Sequence, residues 1–263
     1  MNKTGYAKSL KNKAKICLEG KYYVTVMTIV FFGMLFYASE DFSRFLILQI
    51  NGLCKRYEIV VHLIPSLVIR NVVPYICNCF LNVMQIGLCY YFLKIVCNQR
   101  FGTFDLFYGF HHNFGKCFLF SILFTTCHEL ISLPVTVLAQ LYYGKKLDSF
   151  NIDKNLLLIY FCAVQLILIL ILYPLSLIIS QIFYIALDYP ELSVKQTVKL
   201  SYRIMKGNML RIIGLQVGFL PLYLLCYLSF GIASFWVNAY IMMTYTLFYL
   251  DIIKGRPASE TTQ

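Results

Sequence analysis

The stretch Asp188–Arg211, DYPELSVKQTVKLSYRIMKGNMLR, decides how this chain is read, because it is the only long polar interruption that still carries the marks of an ordered helix. Pro190 suits a first helical turn, where its missing N–H costs nothing, and Glu191 sits favourably at the positive end of the helix dipole. Gly207 supplies the stop, since helices often end on a residue in the left-handed region. Between these marks Val194, Val198, Tyr202 and Met205 recur at helical spacing, and Lys195, Lys199, Arg203 and Lys206 form a second stripe one residue further round. Such a helix lies on a membrane surface with its basic side toward anionic head groups, and the apolar run from Met209 leads on into a transmembrane span. A connecting loop of helical content, with no role beyond topology, fits the same pattern.

Composition reaches the membrane independently. Hydrophobic residues make up 59% of the 263 and charged residues 13%, about half the charged share of a soluble domain. Such a chain cannot cover itself with polar surface in water. The net charge of +11 raises the question of nucleic acid, but the Lys and Arg residues cluster at the ends of apolar runs, where they act as topology determinants. The N-terminus is basic and no small-residue cleavage site closes the first apolar run, so that run is expected to serve as its own insertion signal.

The expected fold is all-α: a multispanning transmembrane helical bundle of about six spans with basic amphipathic interfacial helices. Residues 6–18 place Leu10, Ala14, Cys17 and Leu18 on one side and Lys8, Lys11 and Lys15 on another, with Gly20 as the stop. The spans then follow as Tyr22–Ala38, Val72–Val96, Cys117–Tyr143, Asn155–Leu187, Met209–Phe230 and Ile232–Leu250. Residues 39–71, broken by Asn51-Gly52, Lys55-Arg56, Pro65 and Arg70, read as interfacial or re-entrant pieces, with an additional hairpin as the alternative. The fourth run would be roughly 50 Å long, so it must tilt, kink at Pro174 or emerge from the bilayer. Residues 1–252 form one membrane domain and 253–263 a short cytoplasmic tail. With both termini cytoplasmic, the outside keeps only Arg44, Lys55, Arg56, Arg70, Lys145, Lys146 and Lys154 of the 23 basic residues, as the positive-inside rule requires. Gly20-Lys21, Gly115-Lys116 and Lys206-Gly207 each launch a hairpin of two spans, which hints at a threefold internal repeat or at chance.

The run LDYPELSVKQTVKLSYRIMKGN, the segment Ser234-Phe235-Trp236-Val237-Asn238-Ala239-Tyr240 and the following Phe248-Tyr249 resemble the C-terminal signature of a bacterial membrane family known as domain of unknown function 975. Phe104-Asp105-Leu106-Phe107 with Gly109-Phe110 is similar to that family's central motif, although the chain carries Asn238-Ala239-Tyr240 where the family pattern has Asn-Pro-Tyr. The resemblance implies a multi-pass protein of the bacterial cytoplasmic membrane. It brings no established activity with it.

Chemistry in such a chain is sought among polar groups inside the spans. Asn78, Asn82 and Gln85 form one polar stripe on the second span; Thr125, Glu129, Ser132 and Thr136, with His128 beside them, form another on the third. An ionisable residue at membrane depth is costly and normally faces a bundle interior or a wet cavity, which makes Glu129 and His128 the candidate site. The bland alternative is that Asn and Gln merely bond neighbouring helices together, at about 1 kcal/mol each. His128-Glu129 begins an HExxH pattern, but position 132 is Ser. The cysteines show no CxxC or Cys/His metal spacing; Cys77-Asn78-Cys79 is the one close pair, and His111-His112 is an isolated pair in the interfacial segment. No phosphate-binding loop or nucleophile motif is present, so no enzyme activity, metal or cofactor is expected.

Two function classes remain. One is a non-catalytic protein that organises membrane lipids or membrane-protein partners at the inner leaflet through Lys195, Lys199, Arg203 and Lys206. The other is a transport or permease-like component with a polar path near Glu129. The sparse polar interior favours the first, because transport of charged solutes ordinarily uses more ionisable groups near the midplane.

Overall fold

The computed structural model describes residues 3–56, 63–143 and 154–254. The chain forms α1 (Lys3–Leu18), α2 (Tyr22–Arg56), α3 (Leu63–Val96), a 3-10 turn (Thr103–Phe107), α4 (Tyr108–His111), α5 (Phe114–Tyr143), α6 (Lys154–Asp188), α7 (Val194–Met205), α8 (Met209–Val217), α9 (Leu220–Leu228) and α10 (Ser234–Lys254). No strand occurs among the described residues, and the molecule is an all-α bundle.

Among the described residues five segments are long and apolar enough to cross a membrane: Tyr22–Ile50, Asn71–Val96, Phe114–Leu138, Leu158–Asp188 and Met209–Leu228. The sixth expected span, residues 232–250, falls on α10 and is not among them. Its position explains why. Ala239, Met243, Thr244, Thr246, Phe248 and Tyr249 of α10 are fully buried, so its surroundings are protein rather than lipid. Thr244 and Thr246 return their hydroxyls to the carbonyls of Tyr240 and Met242, at 2.8 and 3.0 Å, which makes a less apolar helix tolerable inside the bundle.

The described parts of residues 39–71 are not short separate pieces. The first span continues unbroken as α2 to Arg56, and Leu63–Arg70 already belong to α3; residues 57–62 of the expected loop lie outside the described residues. The charges that seemed to end the span are instead compatible with helix, because Arg44 faces Glu40 at 3.6 Å and Asp41 at 3.5 Å, the i,i+4 and i,i+3 neighbours along one helical side. Likewise α6 runs through Pro174 as one helix. The fifth span does break, into α8 and α9 at Gly218-Phe219, just before Pro221.

The interfacial segments gather at one end of the bundle, where hydrogen bonds tie helix starts to helix ends. Lys21, at the start of α2, donates to the carbonyl of Ile95 and to Asn98 just beyond α3. Lys116 of α5 donates to the Pro190 carbonyl beyond α6 at 2.6 Å, and Tyr6 of α1 donates to Asp251 of α10 at 2.6 Å. The expected apolar side of α1 is realised, with Leu10, Ala14 and Leu18 buried. Between α2 and α3 the 3-10 turn is pinned by Lys94–Asp105 at 2.7 Å, and fully buried Leu106 presses its backbone against Gly87. A Cβ at Gly87 would stand 2.0 Å from the Leu106 carbonyl oxygen, so only glycine allows this approach.

The helix in the opening stretch starts later than expected. Pro190 and Glu191 lie in the turn after α6, and Ser193 caps α7 through a reciprocal capping box with Gln196. Gly207 does end it, at φ +91°. The buried side is Thr197, Leu200, Ser201, Ile204 and Met205 rather than the stripe through Tyr202, which is exposed. The partner dictates this choice: small Thr197 and Ser201 let α7 approach α6 closely, and Ser201 donates to the Ile178 carbonyl at 2.5 Å.

Candidate polar cavity

Two polar stripes legible in the sequence meet face to face. Asn78 donates to a Glu129 carboxylate oxygen at 3.1 Å, and Asn82 donates to Thr125 at 2.8 Å. Each step of four residues along α3 is matched by a step of four the other way along α5, which is the register of two antiparallel helices. On a neighbouring side Tyr75 and Thr126 share a hydrogen bond of 2.8 Å. Ser132 also reaches Glu129, at 3.1 Å to its carbonyl and 3.5 Å to its carboxylate.

These rungs wall a cavity of about 570 Å³ between α2, α3 and α5. Asn78, Asn82, Gln85, His128 and Glu129, all the candidate polar residues, line it, with Thr125, Ser132 and Thr136 continuing the α5 side. Its third wall comes from α2: Phe32 and Phe36 lie within the expected span Tyr22–Ala38, and Glu40, Ser43, Arg44 and Ile47 lie on its continuation beyond Ala38. The spacing Glu40…Arg44 is the signal that would have revealed it, because an i,i+4 pair of opposite charge is a mark of continuing helix.

Depth follows from helix rise. Gln85 lies roughly 16 Å along α3 from Val96, near the middle of a hydrocarbon core of about 30 Å, and Glu129 lies roughly 22 Å along α5 from Phe114, past the middle but still within it. Glu40 and Arg44 stand further from the basic end, roughly 27 to 33 Å along α2 from Tyr22. The cavity therefore deepens from an end lined by Glu40 and Arg44 toward Gln85, and the packed 3-10 turn lies on the far side of Gln85 toward α1. Phe32, Phe36, Leu81 and Phe124 give the cavity apolar patches, between which polar groups from all three helices converge. That composition is characteristic of small-molecule sites.

The basic residues of α7 divide. Lys195, Lys199 and Lys206 are exposed, whereas Arg203 is half-buried, so the four do not form one open stripe. At the same end of the molecule, Lys11 donates to the Gly218 carbonyl at 2.5 Å and stands 4.3 Å from the centre of the Phe219 ring, filling the break between α8 and α9. Burial there pulls the Lys11 ammonium below its usual pKa. Burial first, then the hydrogen bond and charge of Asp251, push the Tyr6 phenol well above its usual value.

The remaining sequence candidates are occupied locally. His112 stacks on Tyr108, which stacks in turn on Tyr90, and His111 pairs its ring nitrogen with the Phe107 carbonyl at 3.0 Å. Cys77 and Cys79 are both free thiols, the second buried.

No curated protein and no solved structure matches this chain. A family model described as "Protein of unknown function (DUF975)" matches residues 5–256, nearly the whole length, and the chain belongs to that family.

Proposed function

We propose that this protein is a non-enzymatic, membrane-embedded binding or permease-like component that receives a small solute in the cavity between α2, α3 and α5. The observation that carries the reading is the convergence of Glu129, His128 and the amides Asn78, Asn82 and Gln85 on one space at span depth. Groups that served only to join helices would be used up in their mutual bonds; here they also border a space large enough for a ligand. Purified protein in liposomes, offered a radiolabelled organic amine, an amino acid and a sugar, tests it. Saturable entry of at least one solute above protein-free liposomes, stopped by the cavity-filling Asn82→Phe, is expected. Equal rates for wild type, Asn82→Phe and empty liposomes with every solute would contradict transport.

A second, compatible role is contact with anionic membrane lipid at the inner leaflet. Its support is that Lys195, Lys199 and Lys206 remain exposed while the opposite side of α7 is held against α6. A helix fixed in this way presents its charges at one level and spends no ordering free energy on contact with the surface.

A further inference from the structure

Resting on the cavity reading above, we infer that the ligand is an organic ammonium with an apolar body, its head on Glu129 and its body among the aromatic side chains. Three features select this class over anions and sugars.

The first is charge. Glu129 receives hydrogen bonds from Asn78 and Ser132, and among the described residues no Lys or Arg pairs with it. Those two bonds leave acceptor positions free on the carboxylate, because an ionised carboxyl offers about four. Among the described residues Arg44 is the only Lys or Arg on the cavity wall, and the carboxylates of Glu40 and Asp41, at 3.6 and 3.5 Å, offset its charge. A carboxylate at span depth without a cation of its own is a costly arrangement that a cationic ligand relieves.

The second is the walls. Phe32, Phe36 and Phe124 come from two helices to line the same space, and aromatic faces attract a cation as well as burying hydrocarbon. A sugar hydroxyl set against these rings would find no partner there, whereas a hydrocarbon body is buried by them. The third is size. About 570 Å³ is within the usual range for a drug-sized ligand and far more than an inorganic cation needs.

The test uses the full-length protein in lipid nanodiscs and three probes that share one apolar body: tritiated 4-phenylbutylammonium, 4-phenylbutanol and 4-phenylbutyrate. The ammonium is expected to bind saturably and at least about 10-fold more tightly than the alcohol, with the carboxylate weakest. Glu129→Gln keeps an acceptor for Asn78, so the fold is retained, and it should lower ammonium affinity about 10-fold, as expected for one charge-assisted hydrogen bond. It should leave the alcohol unchanged. Equal binding of all three probes, with Asn82→Phe abolishing each, would overturn the ammonium class while leaving the cavity as a binding site. Saturable binding of none would overturn this inference, and the solute-entry experiment would still decide the broader reading. Tight ammonium binding that Glu129→Gln does not weaken would also overturn it.

Discussion

Asn78 of α3 and Glu129 of α5 face each other across 3.1 Å, amide hydrogen to carboxylate, on the wall of a cavity that α2 closes from the third side. Sequence spacing alone puts each residue on a polar stripe. Only the antiparallel register of the two helices brings the stripes together.

That pair should be measurably coupled. Replacing Asn78 or Glu129 singly by Leu should leave membrane insertion intact, because removing a polar group lowers the cost of entering the bilayer. The two substitutions together should cost less stability than the sum of the singles, by about 1 kcal/mol, the usual worth of such a bond between membrane helices. A double-mutant cycle on the unfolding midpoint measures the difference; strict additivity would mean the contact contributes nothing.

Gly87 should be among the least replaceable residues of the fold. A Cβ there would meet the Leu106 carbonyl oxygen at 2.0 Å and the Leu106 carbonyl carbon at 2.4 Å, and neither is a flexible side-chain tip that could swing aside. Gly87→Ala should therefore cost about 1–3 kcal/mol as the 3-10 turn is pushed off α3. Gly115→Ala, with nothing within 4 Å and helical geometry already in place, should be neutral or slightly stabilising. Thermal unfolding in detergent compares the two.

The contact between α1 and α10 should show in the titration of Tyr6. Its phenol is held above the ordinary value near pH 10, so the protonated form is favoured in the folded protein. The stability contributed by its bond to Asp251 is then complete below about pH 10 and is lost as pH rises through the higher folded value. Tyrosinate absorbance of wild type minus that of Tyr6→Phe should give a curve with its midpoint above 10. A midpoint at 10 would show that Tyr6 is solvated and the contact absent.

Lipid selectivity should follow the three exposed lysines of α7. Lys195, Lys199 and Lys206 changed together to Gln should weaken association with anionic over neutral lipid by about 1 kcal/mol per residue. The effect should fade as the Debye length shrinks from its value of about 8 to 10 Å at physiological salt. Lipid binding measured by native mass spectrometry would show it; an unchanged preference would remove the second role. Arg203, half-buried, should contribute less than the three lysines.

The all-α fold and most of the cavity's polar residues were legible because they break a strong background. An amide or carboxylate every third or fourth residue in a long apolar run has few reasons to be there, and Asn78, Asn82, Gln85 and Glu129 all proved to share one space. What was not legible depended on partners. The charges Glu40, Asp41 and Arg44 look like the end of a span until they are seen pairing along a continuing helix, which carries the third cavity wall on beyond Phe32 and Phe36. α10 carries Tyr and Thr where it is buried in protein, so its residues are less apolar than those of the five candidate spans. On α7 the apolar periodicity pointed to Tyr202, but the buried side was chosen by the close approach of Thr197 and Ser201 to α6. The break between α8 and α9 had its signals in Gly218 and Pro221, yet Lys11, which fills it, comes from the far end of the chain.

The space beside Glu129 should be open to a solute at span depth, and thiol accessibility measures whether it is. With the reactive native thiols replaced, Ser132→Cys on the cavity wall and Leu130→Cys on another exposed side of the same helix are treated with a membrane-impermeant trimethylammonium thiosulfonate. The cavity account predicts that Ser132→Cys reacts at least about 10-fold faster than Leu130→Cys, and from the side opposite α1, because a thiol must be hydrated to ionise and react. Equal unreactivity of the two, or reaction of Ser132→Cys only from the α1 side, would contradict it.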